Sequence, residues 1–538
     1  MQRLADHRLA AAVFALGAVC LYLTAPHHGE FWWSDSPRHA LNGVFIKDLI
    51  AQMPHDPKAW AMQYYVKYPA LTILFYPPLF YVVSAPFYAV LGVSQSTGLV
   101  VVMLHYFALA LGTYMLARRW TGEIAAIAAG LAVMAVPGMA LWGRQIMLEV
   151  PSLAFAVWAM VALERFAAAE KPRMLYLCVL LLLCSAYTKL NAAFLFPVVG
   201  VVVLSERGKA ALSDKHVWFA AALAVIGLIP LALLTLKFGS ANVQSVMSVP
   251  DAAASRTTLA GWTWYLRQMP GLVGWPLLAL GFAAPLLGLL GTLKTGVSRA
   301  GIVLLVSWFV VGYLALSFID LKEARHALLI LPPLLIAAAT VLPALLPERR
   351  LGELLLAAVV VGTGVYTWMY APVPRIDGYR QAAEWIAAHA PKDAVVVFSG
   401  KRDGAYVFNM RSIEGRRDIT TLRSDKLLLT VAVRRQLGVK QKQMSESEMA
   451  DMLDRYGVSY VVAQDDFWID LPVMERFQNV LRSRHFAEVA RIPVTSNIPV
   501  PDRVLHIYRN LGPLNPHPGS LVLDLAIIGQ KVSGSVGK

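Results

Sequence analysis

Between residues 9 and 370 the chain alternates long apolar stretches with short polar loops, and this alternation constrains its fold more than any other feature. The stretches are 9–26, 98–117, 123–139, 150–167, 174–187, 191–204, 217–236, 271–292, 300–318, 327–346 and 351–370. Most approach the ~20 residues with which a helix crosses a hydrocarbon core ~30 Å thick. In lipid the backbone must satisfy its own polar groups, so such stretches become helices. Over the whole chain 57% of residues are hydrophobic and 15% charged, a composition that excludes a soluble globule. The short stretches 174–187 and 191–204 flank "YTKLN", which predicts tilted or interrupted helices there.

The net charge of +14 does not point to nucleic acid, because the basic residues sit mainly in short loops between apolar runs. There they act as topology signals and contacts to membrane lipids. Segment 71–92, with Pro77, Pro78 and Pro86, decides the sidedness of everything after it. If it lies at the outer interface, the cytoplasmic loops hold Arg118, Arg119, Lys171, Arg173, Arg207, Lys209, Lys215, Lys294, Arg299, Arg349 and Arg350. The outer short loops then hold few basic residues, which satisfies the positive-inside rule. This gives about eleven transmembrane helices, with the N-terminus, read as a retained signal anchor, inside and the C-terminus outside. Cys20, Cys178 and Cys184 lie in apolar segments and suggest neither a disulfide framework nor a metal-ligand spacing.

Residues 373–510 change character. Strand-like runs such as "AVVVFSG" and "YVVAQ" alternate with amphipathic stretches such as "YRQAAEWIAAHA", the pattern of a small α/β domain. The domains are therefore 1–372 in the membrane, 373–510 outside it, and a tail at 511–538, rich in Pro and Gly, expected to be flexible. The loop "SGKRDG", 399–404, reads as an ordinary turn.

With this topology the conspicuous charges collect at one rim. Asp35 and Lys67 lie in the first outer loop, Arg144 and Glu149 in the second, Lys189 in the third, and Arg325 with His326 in a later one. A coupled transporter more naturally places ionisable groups at the midplane. Asp35 precedes Ser36 and Pro37, which resemble an N-cap and first helical residue. Asp35 is then either free to point elsewhere or itself a helix-start carboxylate. Leu41, Val44, Phe45, Leu49 and Met53 follow as an apolar stripe, as in an interfacial helix. Glu149 repeats the setting, two residues before Pro151. Arg325 and Lys189 stand where inward-running helices begin, a place suited to a phosphate. No nucleotide-binding glycine motif is present.

Taken in order, Asp35 after the first span, the Pro77–Pro78 segment, "YMLARRWTGEIAAIAAGLAVMAVPG", "GRQIMLEVPSLAF", "YTKLNAAFLFP" and "ARHALLILPPL" form a series. Over roughly residues 10–345 this series resembles the GT-C superfamily of membrane glycosyltransferases, of the protein O-mannosyltransferase and aminoarabinose transferase type. The chain departs from that pattern at Ser36, where relatives often carry a second acid. It departs again at Tyr76, where a lysine often precedes the Pro-Pro and for which Lys67 is a nearby substitute, and at Glu149, usually an aspartate.

The resemblance implies an inverting transferase, resident in the inner (plasma) membrane with its site extracytoplasmic. It would take a sugar from a polyprenyl-phosphate donor and pass it to a hydroxyl acceptor. Asp35 would be the general base. Arg325, with Lys189 or Lys67, would hold the donor phosphate. Glu149 would orient substrate or ligate a divalent metal ion, and Arg144, Tyr65, Tyr68 and His326 would line the substrate pocket. The competing expectation is a transporter or flippase for lipids or lipid-linked sugars, with the outer domain as its receptor.

Overall fold

The computed structural model describes residues 7–169, 171–239, 243, 246–247, 254–290, 296–431, 435–501, 503–525 and 529–537. Lys294 and part of the 237–270 loop lie outside them. Among the described residues seven helices are long and apolar enough to cross a membrane: Gln95–Ala117, Glu149–Ala169, Leu190–Ser213, Lys215–Phe238, Arg299–Ser317, Ala324–Leu345 and Arg349–Tyr370. An eighth span results if Glu123–Ala135 and Pro137–Gly143, bent by 59° at their junction, count as one. The bend falls where Pro137 withholds a backbone N–H. Four apolar helices are shorter: Arg8–Leu23, Leu79–Leu91, Pro172–Thr188 and Trp275–Leu289. Length and composition thus support seven or eight spans rather than eleven.

Two of the spans open with a tight 3-10 turn, Leu190–Leu195 before Phe196–Arg207 and Ala324–Ile330 before Leu331–Leu345. In both, proline occupies the first turn of the α-helix, Pro197 in one and Pro332 with Pro333 in the other. Phe196 and Leu331, just before the prolines, are already in α geometry, and proline fits the first turn because its missing N–H would have no partner there in any case. The "YTKLN" break is therefore real, and it sets Lys189 and Arg325 at comparable entrances.

Segment 71–92 forms only a 13-residue helix, Leu79–Leu91. At 1.5 Å per residue that is about 20 Å, less than a hydrocarbon core. It packs against the helix Asp35–Gln52. A Cβ on Gly43 would come within 2.4 Å of Ser84 Oγ, so glycine is needed for the two helices to touch. The Asp35–Gln52 helix is buried nearly all round over Ser36–Phe45, while Met53 beyond its end is 80% exposed. It is enclosed by protein on several sides rather than laid on a surface by one apolar stripe.

The C-terminal part is the expected α/β unit. With β1 Val395–Ser399, β2 Thr420–Arg423, β3 Leu429–Val431, β4 Val439–Gln441, β5 Val458–Ala463, β6 Phe486–Pro493 and β7 Val504–Asn510, the main sheet has the order β2-β1-β5-β7-β6. Strands β2, β1 and β5 are parallel, and β7 and β6 are antiparallel additions. Every residue of β1 is buried, as befits a central parallel strand covered on both faces. One face, with Val396 and Phe398, continues into the core of the membrane part, where Phe31 meets Phe408 edge-on at 5.3 Å. The other face, with Val395 and Val397, packs on the helices Glu446–Arg455 and Pro472–Arg482.

The tail differs from expectation. It forms a hairpin of β8 Ser520–Leu525 and β9 Gln530–Ser535. Leu521, Leu523 and Leu525 alternate with outward residues and bury against Val66. Gln63 seals the hairpin edge, donating to Ser535 O at 2.8 Å and accepting from Ser535 N at 2.7 Å. The Pro and Gly content marks turns, while the period-2 leucines define a strand.

The two parts are clamped by charge. Arg411, 0% exposed, donates to Asp48, 2% exposed, at 2.7 and 2.9 Å, and Tyr64 donates to the same carboxylate at 3.0 Å. Removing one partner of a buried pair leaves an uncompensated charge, typically at a cost of about 3–5 kcal/mol. Arg411→Ala is therefore expected to lower the thermal midpoint and expose the 373–510 unit to protease, whereas the surface substitution Arg380→Ala is expected to do neither.

Candidate active site

Both acids singled out by their prolines occupy the first position of a helix, Asp35 in Asp35–Gln52 and Glu149 in Glu149–Ala169. The predicted cap shifts by two residues. Ser34 is the N-cap and makes no side-chain cap, while Ser36 Oγ accepts from Ile146 N at 3.1 Å and ties the first outer loop to the second. Asp35 does not cap its helix. Its Oδ2 lies 3.0 Å from Arg325 Nη2 and accepts from Trp33 Nε1 at 3.2 Å.

Arg325 is the hub. Beyond Asp35, its Nε lies 2.6 Å from Glu323 Oε2 and 3.6 Å from Glu149 Oε1. The same Glu149 oxygen takes Lys189 Nζ at 2.5 Å. The indoles of Trp33 and Trp142 cover the guanidinium, with centroids 5.2 and 5.7 Å from its carbon. Such contacts hold a planar cation in place without neutralising it. Asp35, Glu149, Lys189 and Arg325, drawn from four separate segments, thus meet in one cluster. His326, beside Arg325, lines the narrow cleft that also includes Ser152 and Asn191. Glu149 Oε2 is buried there with no hydrogen-bond partner among the described residues, an acceptor left for something that enters the cleft.

The basic loops lie at the far end of the bundle. Glu164, fifteen residues along the helix from Glu149 and so about 22 Å away, pairs with Arg119 at 2.8 Å. The α/β unit meets the cluster's end instead. Arg38, one turn from Asp35, binds Asp403 at 2.8 Å, Arg423 joins Asp403 and Asp425, and Arg402 donates to Trp32 O. The "SGKRDG" stretch is therefore a docking loop, at the carboxyl end of β1. Burial opposes ionisation of Asp35, but Arg325, His39 and Arg38 outweigh it and hold the carboxyl below the usual range.

Four expected residues stand elsewhere. Arg144 is buried at the end of the Pro137–Gly143 helix, where it donates to Ala140 O at 2.8 Å and reaches toward Ala371 O. Its long side chain satisfies backbone carbonyls instead of facing the cleft. Lys67 closes the Pro57–Lys67 helix, with Asp418, Arg417 and Asp393 as its charged neighbours. Tyr65 faces Arg423 and Asp425, and Tyr68 packs under Arg411. These three belong to the seam between the two parts, because their helix is sandwiched there. Nor does the donor set fit a divalent ion. Arg325 stands between the acids, and among the described residues no three His, Cys, Asp or Glu side chains are arranged to hold a metal ion.

Sequence reasoning missed Glu323 and His39. Glu323 stands two residues before Arg325 in "LKEARHA", and His39 lies one turn after Asp35 on the same helix face. Burial drives His39 down to about 4 despite the pull of Asp35 and Glu149, so its imidazole is neutral at physiological pH.

With Arg325 in place, Asp35 contributes stability above its unfolded pKa that is lost as pH falls through its depressed folded value. Arg325→Met reverses the sign, because Asp35 then sits buried without its main counter-charge. The variant's thermal midpoint is expected to rise between about pH 7 and pH 5, while that of the wild type stays level or falls.

A family model described as dolichyl-phosphate-mannose-protein mannosyltransferase matches residues 76–233. No curated protein sequence matches the chain. Among solved structures, ArnT from Cupriavidus metallidurans bound to undecaprenyl phosphate is 14% identical with a TM-score of 0.59, covering 94% of this chain and 99% of its own. Arabinofuranosyltransferase AftD from Mycobacteria is 16% identical with a TM-score of 0.53, covering 96% of this chain and 41% of its own. The oligosaccharyltransferase AglB from Archaeoglobus fulgidus, in complex with an inhibitory peptide and a dolichol-phosphate, is 12% identical with a TM-score of 0.53, covering 93% and 76%. The multi-pass bundle, its C-terminal sheet and the family match agree with the ordered motifs: the chain has the fold of the GT-C membrane glycosyltransferases.

Proposed function

We propose that the protein is an inverting glycosyltransferase that moves a sugar from a polyprenyl-phosphate donor to a hydroxyl acceptor at the extracytoplasmic face of the inner membrane. The observation that carries this reading is the Arg325 cluster, in which two helix-start carboxylates and two cations from distant segments meet in direct ion pairs. A solved relative of the same fold holds undecaprenyl phosphate, and another holds a dolichol-phosphate. A site at the end of a lipid-embedded bundle, beneath a polar domain, suits a substrate with a greasy tail and a hydrophilic head.

The chemistry follows from the residues. The acceptor oxygen attacks the anomeric carbon while Asp35 takes the hydroxyl proton. The new C–O bond forms as the bond from that carbon to the phosphate oxygen breaks, and its electron pair leaves with the lipid phosphate. Attack opposite the leaving group inverts the centre. Positive charge develops on the sugar ring, which the Asp35 and Glu149 carboxylates stabilise. Negative charge grows on the departing phosphate, which Arg325 and Lys189 receive. Before donor binds, Arg325 is held by Asp35, Glu149 and Glu323. A phosphate competes for that guanidinium and so frees Asp35 to face the acceptor. The α/β unit, docked through Arg38–Asp403, roofs the site and presents the acceptor.

Asp35→Asn is expected to reduce transfer by about 10²–10⁴-fold, the range of a lost general base. Binding of undecaprenyl phosphate should persist. Product formation by mass spectrometry, over a panel of polyprenyl-phosphate sugars, reads the result, and transfer at the original rate by the variant removes Asp35 from the mechanism. A flippase would instead move lipid between leaflets in vesicles and release no glycosylated acceptor.

The pH profile is a second check. Asp35 is held ionised and His39 neutral, so neither changes charge between about pH 5 and pH 8. A plot of kcat/KM, which reports the free enzyme, should show no acidic limb in that window. A limb near pH 6.5 that persists in His326→Gln would mean that His39 titrates there and lacks the burial described.

A further inference from the structure

Most of the charged and hydroxyl groups that line the narrow cleft beside Arg325 are already engaged. Ser152 Oγ donates to Ser185 O at 3.1 Å. Lys189 Nζ holds Glu149 Oε1 at 2.5 Å, and Arg325 pairs with Asp35 and Glu323. His326 Nε2 lies 3.9 Å from Glu323 Oε2. Glu149 Oε2 is the exception. The residue is 4% exposed, and this second carboxylate oxygen is buried with no hydrogen-bond partner among the described residues. An acceptor so placed is costly unless something completes it.

The chemistry of the missing partner follows from that oxygen. A carboxylate oxygen only accepts, so its partner must bring a proton. The phosphate of a polyprenyl-phosphate sugar is a diester and carries none. An ammonium would bring a proton together with a charge that Lys189, 2.5 Å from the same carboxylate, repels. A hydroxyl meets both conditions. The cleft leaves about 10 Å³ open, room for about one water-sized group, so a hydroxyl enters while the ring that bears it stays outside. Position then selects the hydroxyl. Glu149 Oε1 touches Lys189 and lies 3.6 Å from Arg325 Nε, the two cations that suit the donor phosphate. A hydroxyl on Oε2 of the same carboxylate is therefore a near neighbour of that phosphate. In a sugar phosphate the nearest one is carried by the carbon next to the anomeric carbon.

We propose that Glu149 Oε2 accepts a hydrogen bond from the 2-hydroxyl of the donor's sugar, so that the cleft selects sugars with a free hydroxyl at that carbon over 2-deoxy and 2-acetamido sugars. The inference rests on the transferase reading and names a subsite within it. A 2-deoxy sugar leaves the buried oxygen unpaired, and a site built to hydrogen-bond a hydroxyl rejects the analogue that lacks it. A 2-acetamido group is several times larger than the space available. The same hydrogen bond also serves the reaction. As positive charge develops on the ring, the 2-hydroxyl becomes a stronger donor, and Glu149 holds it more tightly in the transition state than in the bound donor.

The test measures binding to the full chain in lipid nanodiscs, with no acceptor present, so that a donor hydroxyl is read apart from an acceptor hydroxyl. The probes are undecaprenyl phosphate, its glucosyl, mannosyl and arabinosyl derivatives, the 2-deoxy counterpart of whichever binds most tightly, and the N-acetylglucosaminyl lipid. Wild type should hold the 2-deoxy lipid about tenfold or more weakly than its parent, and the 2-acetamido lipid no better than the bare phosphate. In Glu149→Ala the parent and the 2-deoxy lipid should bind within about twofold of each other. The wild-type comparison needs no variant, and so stands even if Glu149→Ala does not fold. The proposal is overturned if wild type binds the 2-deoxy lipid as tightly as its parent, as it would with a water filling the cleft. It is overturned equally if the 2-acetamido lipid binds like the parent, if Glu149→Ala keeps the tenfold preference, or if no sugar-bearing lipid is held more tightly than the bare phosphate. Binding needs no turnover. A protein that discriminates at this carbon but transfers nothing would refute the transferase reading and leave the subsite standing, whereas one that transfers sugar without discriminating would do the reverse.

Discussion

The Arg325 guanidinium is the contact on which the rest of the site depends. It gathers Asp35, Glu149 and Glu323 while Trp33 and Trp142 cover it. Three carboxylates so close would repel one another in a poorly hydrated cleft without a cation between them. With it, the entrances of three helical segments are drawn to one point, and Lys189 completes the balance through Glu149. The arrangement is poised rather than finished, because Glu149 Oε2 is buried with no hydrogen-bond partner among the described residues. A substrate hydroxyl would supply the donor it lacks.

The Asp35–Gln52 helix carries this order outward. Its first residue belongs to the cluster, Arg38 one turn on grips Asp403, and Asp48 near its end takes Arg411. About 20 Å of helix therefore connects the Arg325 cluster to the α/β unit. Lys67, Tyr65 and Tyr68 sit in the same seam, and so contribute to docking instead of phosphate binding. A rigid helix fixed at both ends holds a carboxylate more firmly than a free loop, because its side chains are positioned by packing on several faces.

Much of the site was legible in the amino-acid order because charge is scarce here. Asp35, Glu149, Lys189 and Arg325 stand out against apolar surroundings, and each precedes a helix start marked by proline. That rule also drew in Arg144, which turns inward to backbone carbonyls, since a long guanidinium beside a helix end can serve either purpose. Glu323 and His39 were hidden for the opposite reason. One lies among other charges in "LKEARHA", and the other resembles an ordinary core histidine until helix packing sets it against Tyr81 and Tyr76. The C-terminal hairpin was obscured by the Pro and Gly around it, although its alternating leucines were visible.

By itself the sequence determined that the chain threads a membrane several times, where the bundle gives way to an α/β unit, and which few ionisable groups escape the apolar background. Those are local matters, governed by the cost of unpaired backbone and charge in lipid. Only the tertiary structure decided which charges meet. Hydrogen bonds and ion pairs act over a few ångströms, so a cluster built from residues 35, 149, 189 and 325 exists only once helix packing has closed the distances between them.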